Sequence, residues 1–295
     1  MNHFCTIASS DYLYKVQALY QTLLQCCTQP FQLHVLVTDL GGIKKTEHIK
    51  FYALSDLANP TALPIILKYK GDKLRWSLKP VFILYLLQHS QKVIYIDNDI
   101  AFFNNPEFLF DLLSSNRILL TPHRYSFSPT QNQFWLENNL KFGLYNAGFF
   151  AAHSDAKNAL EWWAACCLYR CQKNYWRGLY DDQKYLDLLP IIEPSTLILE
   201  HKGCNVAGWN IENCPRTSAQ NQILAGNYPI VFIHFNFYTI RTIIEGNDPL
   251  LQPHWQQYFN LLKQYKPTAC EADFYQPLSM AGKLKIQLWK WLSKN

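Results

Sequence analysis

No two cysteines in this sequence stand in a Cys-x-x-Cys pair, which argues against a structural zinc site. The nine cysteines, at positions 5, 26, 27, 166, 167, 171, 204, 214 and 270, are odd in number, and several lie in apolar runs with helical spacing. A free cysteine in such a run acts as a small hydrophobe. That usage fits a reducing cytosol better than a disulfide-bonded secreted domain. Met1-Asn2-His3-Phe4-Cys5 has neither the basic nor the long apolar region of a signal peptide, so secretion is not expected. No run approaches the ~20 apolar residues of a membrane-spanning helix. The expectation is a cytoplasmic protein. There is no Lys/Arg block in the chain's interior, and the net charge is only +5. This mild excess makes no case for nucleic acid; it suits an anionic substrate or an anionic membrane surface. Internal repeats and low-complexity linkers are absent too.

What is present is apolar and aromatic. Of 295 residues, 49% are hydrophobic and 17% charged, enough for one large α/β domain or two small ones. Tyr (18), Phe (18) and Trp (9) fit an aromatic core, with carbohydrate stacking as a second use.

The chain opens β-α-β, the pattern of a parallel sheet covered by helices. Phe4 to Ala8 reads as a strand ended by Ser9-Ser10-Asp11, and Tyr12 to Cys26 as a helix with Leu13, Val16, Leu19, Leu23 at helical spacing. Phe31 to Thr38 is a second strand, and Asp39-Leu40-Gly41-Gly42 a turn. The loop beyond the first strand of such a unit often holds a nucleotide, which makes Ala8 and Tyr12 candidate contacts; ordinary helix-start packing is the other reading of Tyr12. Lys44 to Leu57 is expected to be helical, Leu63 to Tyr69 a strand, and Leu78 to His89 a helix with Pro80 in its first turn. Lys79 at this helix start would reach a diphosphate or simply be solvated.

Val93-Ile94-Tyr95-Ile96 then runs into Asp97-Asn98-Asp99. A short apolar run bounded by turn signals reads as a strand buried on both faces. Acids at the carboxyl end of such a strand lie where open α/β sheets bind ligands. In extended chain, residues two apart share a side, so Asp97 and Asp99 can address one hard cation. The plainer reading is a turn, because Asp and Asn bond their own backbone. Further on, His123 to Leu140 mixes polar and aromatic residues, as a loop over a site would. Tyr145-Asn146-Ala147-Gly148 offers an amide for sugar hydroxyls and a glycine for close backbone approach. Asp181-Asp182-Gln183 opens another helix, where acids also serve as caps. His234 ends an apolar strand, Ile230 to Phe235.

In this order, Tyr95-Ile96-Asp97-Asn98-Asp99, Tyr145-Asn146-Ala147-Gly148, Asp182-Gln183, Asn205-Val206-Ala207-Gly208-Trp209-Asn210 and His234-Phe235 resemble the GT-A fold glycosyltransferases with a DxD motif. The nearest likeness is to bacterial family-8-like enzymes of surface-polysaccharide clusters, over residues 3 to 240. The resemblance implies an α/β fold with a mixed, mostly parallel central sheet flanked by helices. It also implies Mn²⁺ or Mg²⁺ on Asp97, Asp99 and His234, beside a nucleotide sugar such as a UDP-sugar. Lys79 matches a basic residue assisting the donor, and Asn98, Asn146, Ala147 and Gly148 fall in its binding motifs. Asp182 and Gln183 match residues beside the reacting carbon, with retention of configuration preferred. The acceptor would be a saccharide or glycolipid. One departure is plain: after His234-Phe235 the family usually has a glycine and often a basic residue, whereas here the run is Asn236-Phe237-Tyr238-Thr239-Ile240-Arg241. The catalytic domain is expected over 1–250 and a helical extension over 251–295. In that tail Leu284, Leu288, Trp291 and Leu292 share one face opposite Lys283, Lys290 and Lys294, so 281–294 would lie in a membrane interface or pack on the domain. Two other functions compete: sugar-phosphate nucleotidyltransfer, disfavoured by the lack of a Gly-rich, basic-ended loop after the first strand, and a degenerate glycan- or partner-binding module.

Overall fold

The computed structural model describes residues 1–39, 48–57, 60–219 and 222–275. Among the described residues, eight strands precede Leu199: β1 (Asn2–Ala8), β2 (Phe31–Val37), β3 (Ile49–Ala53), β4 (Lys92–Ile96), β5 (Ile100–Phe102), β6 (Ile118–Pro122), β7 (Tyr145–His153) and β8 (Thr196–Ile198). Seven of them form one sheet in the order β3-β2-β1-β4-β7-β6-β8. The four strands from β3 to β4 are parallel neighbours, β7 runs antiparallel to both β4 and β6, and β6 pairs parallel with β8. This is the mixed, mostly parallel sheet expected.

Alternation along the strands divides the core in two. On β4, Val93 and Tyr95 face one layer while Ile94 and Ile96 face the other, as the two-residue period of a strand requires. The first layer is built by α4 (Lys79–Leu87) and the helix Lys157–Tyr169, through Phe82, Leu160 and Trp163. The second is closed by α1 (Leu13–Cys26), through Val16, Leu19 and Leu23. With both sheet faces covered, the strands carry continuous apolar runs, and ligands are left to the strand ends.

Two expected elements differ. Of the stretch Lys44 to Leu57, positions 44–47 lie outside the described residues; the rest is β3 and a 3₁₀ turn, Leu54–Leu57. Pairing of Ile49–Ala53 with β2 overrides local helical preference. Leu63 to Tyr69 is not a strand but α2 (Ala62–Lys68), which buries Ala62 and Ile65 and exposes Leu63 and Leu67. A short apolar run does not separate strand from buried helix. The helix α3 (Gly71–Ser77) follows directly and leads into α4. Within 123–140, Gln133 onward is helical, in the helix Gln133–Phe142. The turn at 39–42, beyond Asp39, and the amphipathic tail at 281–294 lie outside the described residues. The helix Gln252–Tyr265 buries Trp255, Tyr258 and Leu262 in the same cluster as Phe235 and Ile240. Among the described residues, no helix is long and apolar enough to cross a membrane.

Trp163 joins core to site: its side chain is fully buried, and its indole N–H donates to the Asp182 carbonyl at 3.0 Å. Trp163→Ala is expected to destabilise the protein by about 3–5 kcal/mol. Trp163→Phe, which keeps most of the volume, should cost less. Urea unfolding of the two variants measures the difference.

Candidate active site

β4 ends at Ile96, so Asp97 stands at the carboxyl edge of the sheet. The Ile100 N–H donates to the Asp97 carbonyl at 3.1 Å, closing a turn that starts β5. The strand Phe232–His234 pairs antiparallel with β5, placing His234 opposite Ile100. Residues distant in sequence are thereby brought to one point. One ligand atom each from Asp97, Asp99 and His234 lies within 4.8 Å of the others, and His234 Nε2 is 3.1 Å from Asp99 Oδ1. Burial alone would lower the His234 pKa, but Asp99 holds it above its ordinary value. Burial raises the Asp99 carboxyl, and the His234 charge overcomes this and holds it well below the usual range. Two carboxylates and an imidazole form a donor set that suits Mn²⁺ or Mg²⁺. A cation held there would have to displace the imidazolium proton, so its affinity would fall as pH drops.

The other face of His234 is fixed. Its Nδ1 lies 3.2 Å from Asn146 Oδ1, which also accepts the Gly148 N–H at 3.0 Å. A side chain at Gly148 has no room: a Cβ would sit 2.5 Å from His234 Cε1 and 2.7 Å from Asn146 Oδ1. Gly148 is therefore required by close approach, not by a special dihedral. The Asp97 N–H donates to the Gly148 carbonyl at 2.8 Å.

Lys79 is buried at the start of α4, and its ammonium has three polar neighbours. It donates to the Ala147 carbonyl at 2.9 Å and lies 3.3 Å from Asp97 Oδ1 and 3.4 Å from Asp182 Oδ2. Burial by itself would depress this lysine, but the two carboxylates outweigh it and hold its pKa above normal. Asp182 is also buried; burial pushes its carboxyl up to about 6 against the pull of Lys79. Gln183 is pinned at both ends of its amide. Its Oε1 accepts from Asn146 Nδ2 at 3.3 Å and from the Ala147 N–H at 3.1 Å, and its Nε2 donates to the Phe142 carbonyl at 3.0 Å.

A cleft of about 670 Å³ joins Lys79, Asp97, Asn146, Ala147, Gly148, Asp182, Gln183 and His234. A smaller cavity of about 180 Å³ adjoins it, sharing Lys79 and Asp97, and takes in Tyr12, Asn98 and Asp99. Asn98 donates to the Ile7 carbonyl at 3.1 Å, tying this edge to β1. Ala8, by contrast, is wholly buried in β1 and lines neither cavity. Sequence reasoning missed the aromatic wall of the large cleft. His123 stacks on Tyr125 at 4.7 Å and Tyr125 on Trp135 at 4.9 Å, while Trp209 meets the His234 ring edge-on at 5.5 Å. The polar-aromatic character of 123–140 was its only signal. Trp209 is held by Asn210, whose amide donates to the Asn205 carbonyl at 2.9 Å and accepts the Ala207 N–H at 3.1 Å.

No family model matches the chain. YfnF of Bacillus subtilis strain 168 is 30% identical over 261 residues, which cover 82% of this chain and 83% of YfnF. The chain belongs to the YfnF family. YfnD of the same organism is 26% identical over 257 residues, 83% of this chain and 80% of its own. YfnF and YfnD are both uncharacterized proteins, so membership in the YfnF family assigns no reaction. Solved structures place the fold. An active-site mutant of LgtC matches with a TM-score of 0.56 at 12% identity, over 87% of this chain and 99% of that one. The galactosyltransferase LgtC with donor and acceptor sugar analogues matches at 0.53 and 13%, over 79% and 86%. Mouse xyloside xylosyltransferase 1 matches at 0.50 and 15%, over 81% and 98%. The YfnF family chain thus has the GT-A fold of these glycosyltransferases.

Two substitutions probe the geometry. Lys79→Met strands two carboxylates, one of them buried, and is expected to cost about 3–5 kcal/mol in urea unfolding. Adding Asp182→Asn should recover part of that loss. Gly148→Ala is expected to displace the His234 ring and weaken Mn²⁺ binding measured by calorimetry, with the sheet's far-UV dichroism unchanged.

Proposed function

We propose that the protein is a metal-dependent glycosyltransferase that moves a sugar from a nucleotide sugar, a UDP-sugar, to a saccharide or glycolipid acceptor. The observation that carries this reading is the convergence of Asp97, Asp99 and His234 beside a large polar-aromatic cleft. It is supported by the GT-A fold shared with a galactosyltransferase and a xylosyltransferase.

Asp97, Asp99 and His234 are the proposed ligands of Mn²⁺ or Mg²⁺, which when bound supplies Lewis-acid stabilisation of charge on a departing nucleoside diphosphate. The residues of the chain do the rest. Asn146 offers an amide at the cleft floor beside the proposed sugar position. Asp182 and Gln183 flank the proposed reacting carbon. The Gln183 amide cannot serve as a base and is locked by its hydrogen bonds, so it presents a fixed dipole rather than a proton acceptor. In a retaining transfer the bond from the anomeric carbon to the diphosphate oxygen breaks and a bond to an acceptor hydroxyl oxygen forms on the same face. The acceptor's proton leaves with the diphosphate. The rings of Trp135 and Tyr238 give the outer cleft flat apolar surface with polar edges, which suits the faces of a pyranose acceptor. Involvement in surface-polysaccharide synthesis and contact with the inner membrane face through 281–294 are part of the same proposal.

The test is hydrolysis of UDP-sugars with and without Mn²⁺. Turnover should require the metal. Asp99→Ala should lower kcat/KM by at least about 100-fold while leaving the melting temperature within a few degrees, since its loss removes charge stabilisation made at the transition state. Metal-independent turnover, or full activity in Asp99→Ala, would overturn the assignment.

A further inference from the structure

Besides the proposed cation, a bound diphosphate calls for cationic side chains, and the obvious lysine already faces a carbonyl and two carboxylates of the chain. Lys79 has three N–H donors, and these face the Ala147 carbonyl, Asp97 and Asp182. The run after His234 offers no basic residue before Arg241. The Arg241 guanidinium lies over the Tyr238 ring, 4.9 Å from its centroid, and lines the large cleft rather than the small cavity.

The small cavity has its own cations. Lys15 on α1 and Arg75 on α3 line it together with Tyr12, Asn98, Asp97 and Asp99. Both approach the Tyr12 ring, Lys15 Nζ at 5.2 Å and the Arg75 guanidinium at 5.3 Å from the centroid. Arg75 is anchored by Asp72 and donates to Ser9 Oγ at 3.3 Å. A guanidinium has five N–H donors, so this anchoring leaves others free. Lys15 has no carboxylate within ion-pair distance among the described residues, and the Phe274 ring lies 5.6 Å from its ammonium. The cavity's volume, about 180 Å³, equals the liquid share of about six waters. The cavity shares Lys79 and Asp97 with the larger cleft, so a ligand lying across the two would pass its charged part by Lys15 and Arg75.

We propose that Lys15 and Arg75 are the cationic contacts of a nucleotide's diphosphate, held beside the paired acids by the Tyr12 ring. They take the place of a basic residue in the loop after His234. The inference rests on the donor reading above and adds to it which residues bind the phosphates. Apart from the proposed cation, a diphosphate beside Asp97 and Asp99 would otherwise have only the Lys79 ammonium nearby, which already faces two carboxylates. Charge-assisted hydrogen bonds from a guanidinium and an ammonium are the strong kind for phosphate oxygens.

Calorimetry on the full chain in Mn²⁺, with inorganic pyrophosphate, uridine diphosphate and uridine as probes, tests this. Lys15→Met and Arg75→Gln should each weaken pyrophosphate and uridine diphosphate about tenfold or more, leave uridine unchanged, and flatten the salt dependence of binding. Lys15→Arg keeps the charge and should keep most of the affinity. Uridine diphosphate affinity unchanged in both variants would overturn the proposal and leave the donor reading standing. So would uridine weakened by the same factor, or Lys15→Arg as damaged as Lys15→Met. A wild-type protein that binds neither phosphate probe in Mn²⁺ would overturn both.

Discussion

One buried ammonium holds the site together. Lys79 is flanked by two acids from different parts of the chain, Asp97 at the end of β4 and Asp182 before the 3₁₀ turn Gln183–Leu188. Neither acid would sit comfortably so close to the other without it, because like charges in a poorly solvated place repel strongly. The same ammonium binds the Ala147 carbonyl, which fixes the β7 backbone beside the acids. The floor of the cleft is thus a single electrostatic unit, with the proposed metal ligands on one side and Gln183 on the other. Its order comes from mutual contacts: both polar arms of Gln183 are hydrogen-bonded, and Lys79 bonds one carbonyl and lies between two carboxylates.

Around that unit the fold works by bringing far-apart strand ends to one edge. β7 lies between β4 and β6 and runs against both, so its first residues, Tyr145 to Gly148, meet the last residues of β4. The short pairing of β5 with Phe232–His234 delivers the imidazole to the acids. Gly148 is the hinge of this arrangement in a steric sense. The space a side chain would take there is filled by His234 and Asn146.

Much of this was legible in the residues. The β-α-β opening, the apolar strand running into Asp97 and Asp99, and the ordered motifs at 145–148, 182–183 and 234 pointed to the fold and to three groups that the structure brings within reach of one ion. Two elements were not legible. Leu63 to Tyr69 has the composition of a strand, and only burial of Ala62 and Ile65 on one side marks it as a helix. Ile49–Ala53 becomes a strand because β2 offers it an edge, a partner that no local window contains. The commitments of Lys79 were hidden for the same reason: from sequence it was a lysine at a helix start, and its three partners lie 18, 68 and 103 positions away. The stacked wall of His123, Tyr125 and Trp135 depends on ring orientations, which spacing does not encode.

The late position of His234 has a consequence for how the chain matures. Every strand of the seven-stranded sheet precedes it in sequence, β8 ending at Ile198. The strands of that sheet and both carboxylates are therefore synthesised before the imidazole. A domain generally folds as a unit once its parts have been synthesised. Val231 and Phe232, just before the imidazole, also belong to the core under β4 and β7, so completing that core and delivering the third donor are one event late in synthesis.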